Sequence, residues 1–186
     1  LKIYATSDQH FTHFNIIKYA NRPFELTTEG VKDCINTIVN NHNKIVTNDD
    51  LVIHVGDLAH GRNQTKDNIK YIIEGHKGKR ILVKGNHDQW EKEYYLSLFD
   101  EVHDYIIKDN IFICHYPCYQ SRWTSPEEKE MIKILEESGC DTIIHGHVHN
   151  KNPDDWEPDG YKRINVCVDY EKNNFFPVEI TDLFYK

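Results

Sequence analysis

Arg80-Ile81-Leu82-Val83-Lys84-Gly85-Asn86-His87-Asp88 is an apolar run that stops at a glycine and then offers an amide, an imidazole and a carboxylate in succession. Other runs in the chain behave alike. Ile3–Thr6 leads to Asp8 and His10, Leu51–Val55 to Gly56-Asp57, Ile111–Cys114 to His115, and Asp141–Ile144 to His145-Gly146-His147-Val148-His149. Short apolar runs bounded by turn residues read as buried strands. Strands of an open α/β sheet carry their functional groups just past their carboxyl ends. These ends can bring Asp8, His10, Asp57, Asn86, His115, His147 and His149 to one rim. Such a set is too large for one tetrahedral ion but suits two ions that share a carboxylate.

Working outward, helical patterns fill the gaps. Asn15 is placed to cap a short helix through Ile16, Ile17 and Tyr19, ended by Arg22-Pro23-Phe24. Thr27 or Thr28 opens a longer one, with Val31, Cys34, Ile35, Ile38, Val39 and Ile45 near the helical period. Asn63 or Thr65 starts a third, with Ile69, Ile72 and Ile73 on one face and Gly75 at its end. Trp90–Phe99 reads as a fourth, and Ser125-Pro126-Glu127 opens a fifth that Gly139 ends. Val102–Lys108 and Ile111–Cys114 read as a hairpin about Asp109-Asn110, with Ile164–Val168 and Val178–Ile180 as closing strands. Asn152–Gly160 reads as an exposed loop. Helices between the early strands and a hairpin later predict mixed sheets, two of them face to face with helices outside. The expectation is one α/β domain over residues 1–186.

The totals restrict function. The 186 residues are 39% hydrophobic and 28% charged, and no apolar run is long enough to span a bilayer. Leu1-Lys2-Ile3-Tyr4 leads straight into the first strand without the layout of a signal peptide. The cysteines Cys34, Cys114, Cys118, Cys140 and Cys167 are odd in number and form no CxxC pair. They read as reduced thiols, and the expectation is a cytoplasmic protein with no membrane partner. A net charge of −8 disfavours extended nucleic acid as a partner. The basic stretch Lys77-Gly78-Lys79-Arg80 reads as a solvated turn between helix and strand. The oligomeric state has no signature in the chain.

The donors define the chemistry. Asp8 and His10 are two apart, so on a strand they share a face. Gly56 permits a tight turn before Asp57, whose two oxygens can bridge two cations. Asn86 adds an amide oxygen, while His115, His147 and His149 add imidazoles. This mixture suits Mn, Fe, Zn, Co or Ni better than Ca.

Asp8-Gln9-His10, Gly56-Asp57, Gly85-Asn86-His87-Asp88, His115 and Gly146-His147-Val148-His149, in that order, resemble the signature blocks of the calcineurin-like metallophosphoesterases. Asn165-Val166-Cys167-Val168-Asp169 is similar to closing sequences of small phage and bacterial members. The resemblance implies an α/β/β/α sandwich with two divalent transition-metal ions, Mn foremost. It implies one ion on Asp8, His10, Asp57 and His149, and a second on Asp57, Asn86, His115 and His147. His87 is then a catalytic group that contacts the scissile phosphate or assists the leaving group, and it binds no metal. Such an ion pair lowers the pKa of a bridging water, which attacks phosphorus in line.

The chain departs from the Gly-Asp-x-x-Asp-Arg-Gly pattern of the phosphoprotein phosphatases in this superfamily. It reads Gly56-Asp57-Leu58-Ala59-His60-Gly61-Arg62, with His60 for the second Asp and the Arg displaced by one position. The expected activity is therefore hydrolysis of a small phosphate ester, foremost a cyclic or nucleotide-like phosphodiester. A phosphomonoesterase and a non-catalytic scaffold are the alternatives. His13, His60, Asp88 and Arg122 are candidate substrate or supporting residues, with Trp123 a possible stacking partner. Asp88 is expected to orient His87 or cap a helix. His54 and His145 are expected to be satisfied structural histidines, and His42, His76 and His103 to be exposed.

Overall fold

The computed structural model describes residues 1–62, 64–151 and 159–185. In chain order the strands are β1 (Ile3–Thr6), β2 (Leu51–Val55), β3 (Lys79–Val83), β4 (Glu101–His103), β5 (Ile106–Lys108), β6 (Ile111–Ile113), β7 (Thr142–His145), β8 (Lys162–Asn165) and β9 (Val178–Glu179). The helices are α1 (Ile16–Tyr19), α2 (Thr28–Ile45), α3 (Lys66–Glu74), α4 (Lys92–Leu96), α5 (Pro126–Ser138) and α6 (Thr181–Phe184).

Two sheets form. The first has the order β4-β3-β2-β1-β9, parallel except for β9. The second has the order β5-β6-β7-β8, parallel except for β5. Ile3, Ala5, Ile53, Val55 and Val83 of the first sheet pack against Ile111, Ile113 and Ile144 of the second. The outer face of the first sheet is covered through Cys34 and Ile38 of α2 and Ile69 and Ile73 of α3. That of the second is covered by Leu135 of α5, over Phe112 and Ile143. The layers are thus α/β/β/α. Strands apolar on both faces follow from this sandwiching, which explains why the sequence shows runs rather than alternation.

Side-chain caps start the long helices. Thr27 accepts from Gly30 N, Thr65 from Asn68 N and Ser125 from Glu128 N. Gly139 leaves α5 at φ 71°, a left-handed end that glycine adopts at little cost. Asn15 stands at the start of α1 but makes no side-chain cap bond. Asn63 and most of the expected loop Asn152–Gly160 lie outside the described residues.

Other expectations are corrected. Val102–Lys108 is not one strand. β4 pairs with β3 in the first sheet and β5 with β6 in the second, so the chain changes sheets at Asp104-Tyr105. Asp104 interrupts the apolar pattern there, and only the pairing partners reveal that the two halves part. The expected helix Trp90–Phe99 is only α4, because Glu91 is extended at ψ 147° and ion-pairs with Lys66 of α3. The strand read over Ile164–Val168 is β8 shifted earlier. Beyond it Val166 O accepts from Ser7 N and Val168 N donates to Ser7 O, so this segment ties the second sheet to the end of β1.

His42 and His76 are buried, not exposed; they and His54 form a cluster whose ring centroids are 4.5–6.3 Å apart. Polar neighbours in sequence hide the fact that these positions face the sheet. Backbone carbonyls make the burial tolerable: His42 Nε2 is 2.9 Å from Lys77 O, and His76 Nδ1 is 2.9 Å from Ile72 O. His103 is half-exposed and pairs with Glu101 at 2.7 Å. His54 and His145 are only half satisfied, since the Nε2 atom of each is buried without a hydrogen-bond partner among the described residues.

Candidate metal centre

The carboxyl ends of β1, β2, β3, β6 and β7 open onto one edge of the sandwich. The backbone there is forced into uncommon shapes. Asp8, His10, Asp57, His147 and His149 all have φ between 50° and 72°. Left-handed backbone costs a non-glycine residue roughly 1 kcal/mol or more, and such strain persists only where surrounding contacts over-determine it. Gly56 meets two requirements at once, a left-handed turn and close packing. It turns at φ 85°, and a Cβ there would stand 2.6 Å from His115 Nδ1 and 2.7 Å from Gly85 Cα.

Asp88 supplies much of the restraint. It is buried, and its carboxylate accepts from Asp57 N at 2.8 Å, Leu58 N at 3.1 Å and Gly85 N at 2.8 Å. It neither orients His87 nor caps a helix; it laces the loop after β2 to the loop after β3. Burial, followed by the nearby Asp57 charge, pushes its pKa up to about 6 against the pull of these N–H donors.

The two other carboxylates divide their oxygens. Asp57 Oδ1 accepts from His87 N at 2.9 Å, and Asp8 Oδ2 accepts from His147 N at 2.9 Å and Cys167 Sγ at 3.1 Å. The remaining oxygens face imidazoles at distances longer than an ordinary N–H···O hydrogen bond. Asp57 Oδ2 lies 3.5 Å from His10 Nε2, 3.4 Å from His115 Nε2 and 3.8 Å from His87 Nε2. Asp8 Oδ1 lies 4.0 Å from His10 Nε2 and 3.8 Å from His149 Nε2. Asp8 Oδ1 and His10 Nε2 are fully buried with no hydrogen-bond partner among the described residues.

Buried polar atoms left facing one another at such spacing fit a cation between them, because donors on one ion with bonds of about 2.0–2.2 Å stand roughly 3–4 Å apart. Three clusters have their candidate ligand atoms within 4.8 Å of one another: Asp8 with His10 and His149, Asp57 with His115 and His147, and His10 with Asp57 and His87. The residues present therefore fit divalent cations, with Asp57 in two of the clusters.

The surroundings orient the imidazoles. His115 Nδ1 donates to Val55 O at 2.9 Å, which aims Nε2 at Asp57. His149 Nδ1 donates to Asp169 at 3.0 Å, which aims Nε2 at Asp8. Burial opposes protonation of His115, but Asp57 reverses the effect and lifts it to about 10. His149 is likewise raised, burial being outweighed by Asp169 and Asp8. Burial, then the His115 charge, holds His147 down to about 4. Burial also opposes ionisation of Asp57, yet His115 and His10 hold its carboxyl well below the usual range.

Asn86, the remaining expected ligand, is exposed on the loop between Gly85 and His87. His13 and His60 stand beside the clusters. Their rings are 4.6 Å apart, His13 is 5.3 Å from His10, and His60 is 4.1 Å from His87. Burial, then neighbouring His10 and His60, brings His13 down to about 4. Arg122 is exposed and lies 4.8 Å over the ring of Trp123, itself exposed. Tyr116 shapes the turn after His115 and packs on both His115 and His147.

Sequence reasoning gave Asp169, Arg22 and Cys167 no part in the site. Arg22 is buried and donates to Asp8 O at 2.7 Å, Gln9 O at 2.9 Å and Asp169 at 3.0 Å. It braces the turn carrying Asp8 and fixes the carboxylate that orients His149. Arg22 and Asp169 are 147 positions apart, so no local spacing signals their pairing.

The calcineurin-like phosphoesterase family model matches residues 1–151 of this sequence. The chain therefore belongs to the calcineurin-like phosphoesterase family. It is 32% identical over 185 residues to "Uncharacterized protein MJ1445" of Methanocaldococcus jannaschii, a match covering 100% of this chain and 90% of that one. The crystal structure of AQ665 from Aquifex aeolicus, titled a protein of unknown function, aligns with a TM-score of 0.73 at 28% identity. That alignment covers 98% of this chain and 97% of the other. Among the described residues, no helix is long and apolar enough to cross a membrane.

Proposed function

We propose that this protein hydrolyses small phosphate esters, phosphodiesters foremost, with two divalent transition-metal ions, manganese first among them. Asp8, His10, Asp57 and His149 would hold one ion; Asp57, Asn86, His115 and His147 would hold the other. When bound, such ions supply Lewis acidity toward phosphoryl oxygens and an activated water.

The observation that carries this reading is the pair of carboxylate oxygens, Asp8 Oδ1 and Asp57 Oδ2, turned toward imidazole nitrogens at 3.4–4.0 Å within buried surroundings. A purely structural ring of this kind would leave strained backbone and unpaired polar atoms with nothing to offset them. The chain's own groups then do the rest. Asp88 and Arg22 hold the loops that present Asp57 and Asp8. His87 donates a proton to the leaving oxygen, a contribution of about 10²–10⁴ in rate for general acids. Its backbone N–H bond to Asp57 Oδ1 keeps it beside the shared carboxylate. His60, against the His87 ring, limits where that ring can turn.

The test is turnover of 4-nitrophenyl phosphate and bis(4-nitrophenyl) phosphate after chelation and re-addition of single metals. Activity restored by Mn²⁺ and greater on the diester supports the reading. Greater activity on the monoester favours a phosphomonoesterase. A protein that binds manganese yet is inert toward both, and toward nucleotide-like diesters, is the non-catalytic scaffold.

A further inference from the structure

Beside His87 the edge of the sandwich carries an open groove of about 650 Å³. One wall comes from the loop after β2 and carries His60, Arg62 and Gln64; the other comes from the loop after β3 and carries His87, Gln89 and Trp90. Among the described residues its lining contains one guanidinium, two amides, two imidazoles and an indole, and no carboxylate. So the local charge of this lining is opposite in sign to that of a chain with 30 acidic against 22 basic residues. Arg62 is exposed and makes no ion pair among the described residues, although the nearby Lys66 and Glu91 pair with one another. A volume of several hundred cubic ångströms is the size of a drug-sized ligand and far exceeds one phosphate.

We propose that this groove takes the leaving portion of the substrate, and that Arg62 clamps a second anionic group, a phosphate or a carboxylate, carried by that portion. The inference rests on the phosphoesterase reading of the adjoining centre. His87 stands where the groove meets Asp57, so the alcohol it protonates departs into the groove. A guanidinium fork matches phosphate and carboxylate geometry bidentately. Trp90, packed edge-on to Tyr94 at 4.8 Å, gives the lining an apolar surface for a planar group, and Gln64 and Gln89 add amides to it. The substrate class is therefore a phosphodiester whose leaving alcohol is itself anionic.

The test compares matched substrate pairs on the manganese-loaded protein. The dinucleotide pApA against ApA adds only a terminal phosphate; bis(4-carboxyphenyl) phosphate against diphenyl phosphate adds only carboxylates. In at least one pair the anionic member should have the higher kcat/KM by tenfold or more. Arg62→Gln should reduce that ratio to within about twofold of unity, and Arg62→Lys should retain part of it. The pair that shows the preference identifies the anion. Because the readout is a ratio on one preparation, poor folding of a variant does not imitate the result. Hydrolysis of bis(4-nitrophenyl) phosphate without any such preference, or a preference that survives in Arg62→Gln, overturns this inference alone. Inertness toward bis(4-nitrophenyl) phosphate as well overturns the function on which it rests.

Discussion

The protein has two regions rich in histidine, and they differ in what faces the rings. At the strand ends, His10, His115, His147 and His149 surround the carboxylates of Asp8 and Asp57. Under the first sheet, His42, His54 and His76 pack on one another and on Phe99 and Phe11 with no acid among their ring contacts. In the first region, carboxylates overcome burial at His115, lifted to about 10, and at His149, while His10 and His147 stay lowered by burial. In the second, burial is unopposed by any acid, and His42 falls to about 4 and His76 to about 3. Imidazoles alone make a neutral core; imidazoles around a carboxylate make a place for positive charge. The first region would take that charge as metal, while the second excludes it.

The sharpest way to break this contrast is Asp57→Asn. Removing the shared negative charge should abolish phosphoester turnover, by about 10³-fold or more, as the two ions uncouple. Metal analysis after dialysis should find fewer than two ions per chain, and a fully loaded, active variant would refute the sharing. Next comes His87→Ala, which should keep its metal and lose about 10²–10⁴ in kcat, as removal of a general acid does. Loss of metal from that variant would instead make His87 a ligand, as its place within 4.8 Å of His10 and Asp57 permits.

The buried cluster predicts an acid limit to stability. A histidine whose folded pKa lies below its unfolded value binds fewer protons folded than unfolded, so stability is full above about pH 6.5 and falls as pH drops toward the folded value. For His42, the interval from 6.5 down to about 4 corresponds to roughly 3 kcal/mol. Urea titrations of metal-free protein between pH 7 and 4.5 should show the decline, and His42→Gln should make it shallower. An unchanged slope in that variant would remove His42 as a cause. The smallest expected effect is that of Asp169→Asn. Loosening His149 should weaken metal binding by about 10–100-fold, as loss of an outer carboxylate partner does elsewhere. Unaltered affinity in a metal-competition titration would mean that Arg22 and the backbone alone suffice.

Much of this was legible in the chain because it is local. Each apolar run and the donor after it are neighbours in sequence, and a strand carries its end residues to a predictable place. The caps at Thr27, Thr65 and Ser125 follow from one turn of backbone. The parts that were not legible are long-range. Asp88 reads as an appendage of His87, yet it binds the loop of another strand 30 and 31 positions away. At Asp104-Tyr105 the chain passes from β4 in one sheet to β5 in the other, although the sequence there reads as one strand. His42 and His76 have polar neighbours in sequence and apolar ones in space.

What the amino-acid order determined by itself is most of the strands and their helical spacers, and the donors at the strand ends, since backbone preference and hydrophobic period act over a few residues. Only the tertiary structure decided which oxygen of each aspartate faces the imidazoles, that Arg22 and Asp169 brace them across 147 positions, and that Arg62 lines a groove beside His87 with no acid among its described residues. Those outcomes depend on which surfaces the closing of two sheets brings within a few ångströms. Burial and charge act on distance in space, which the chain does not record.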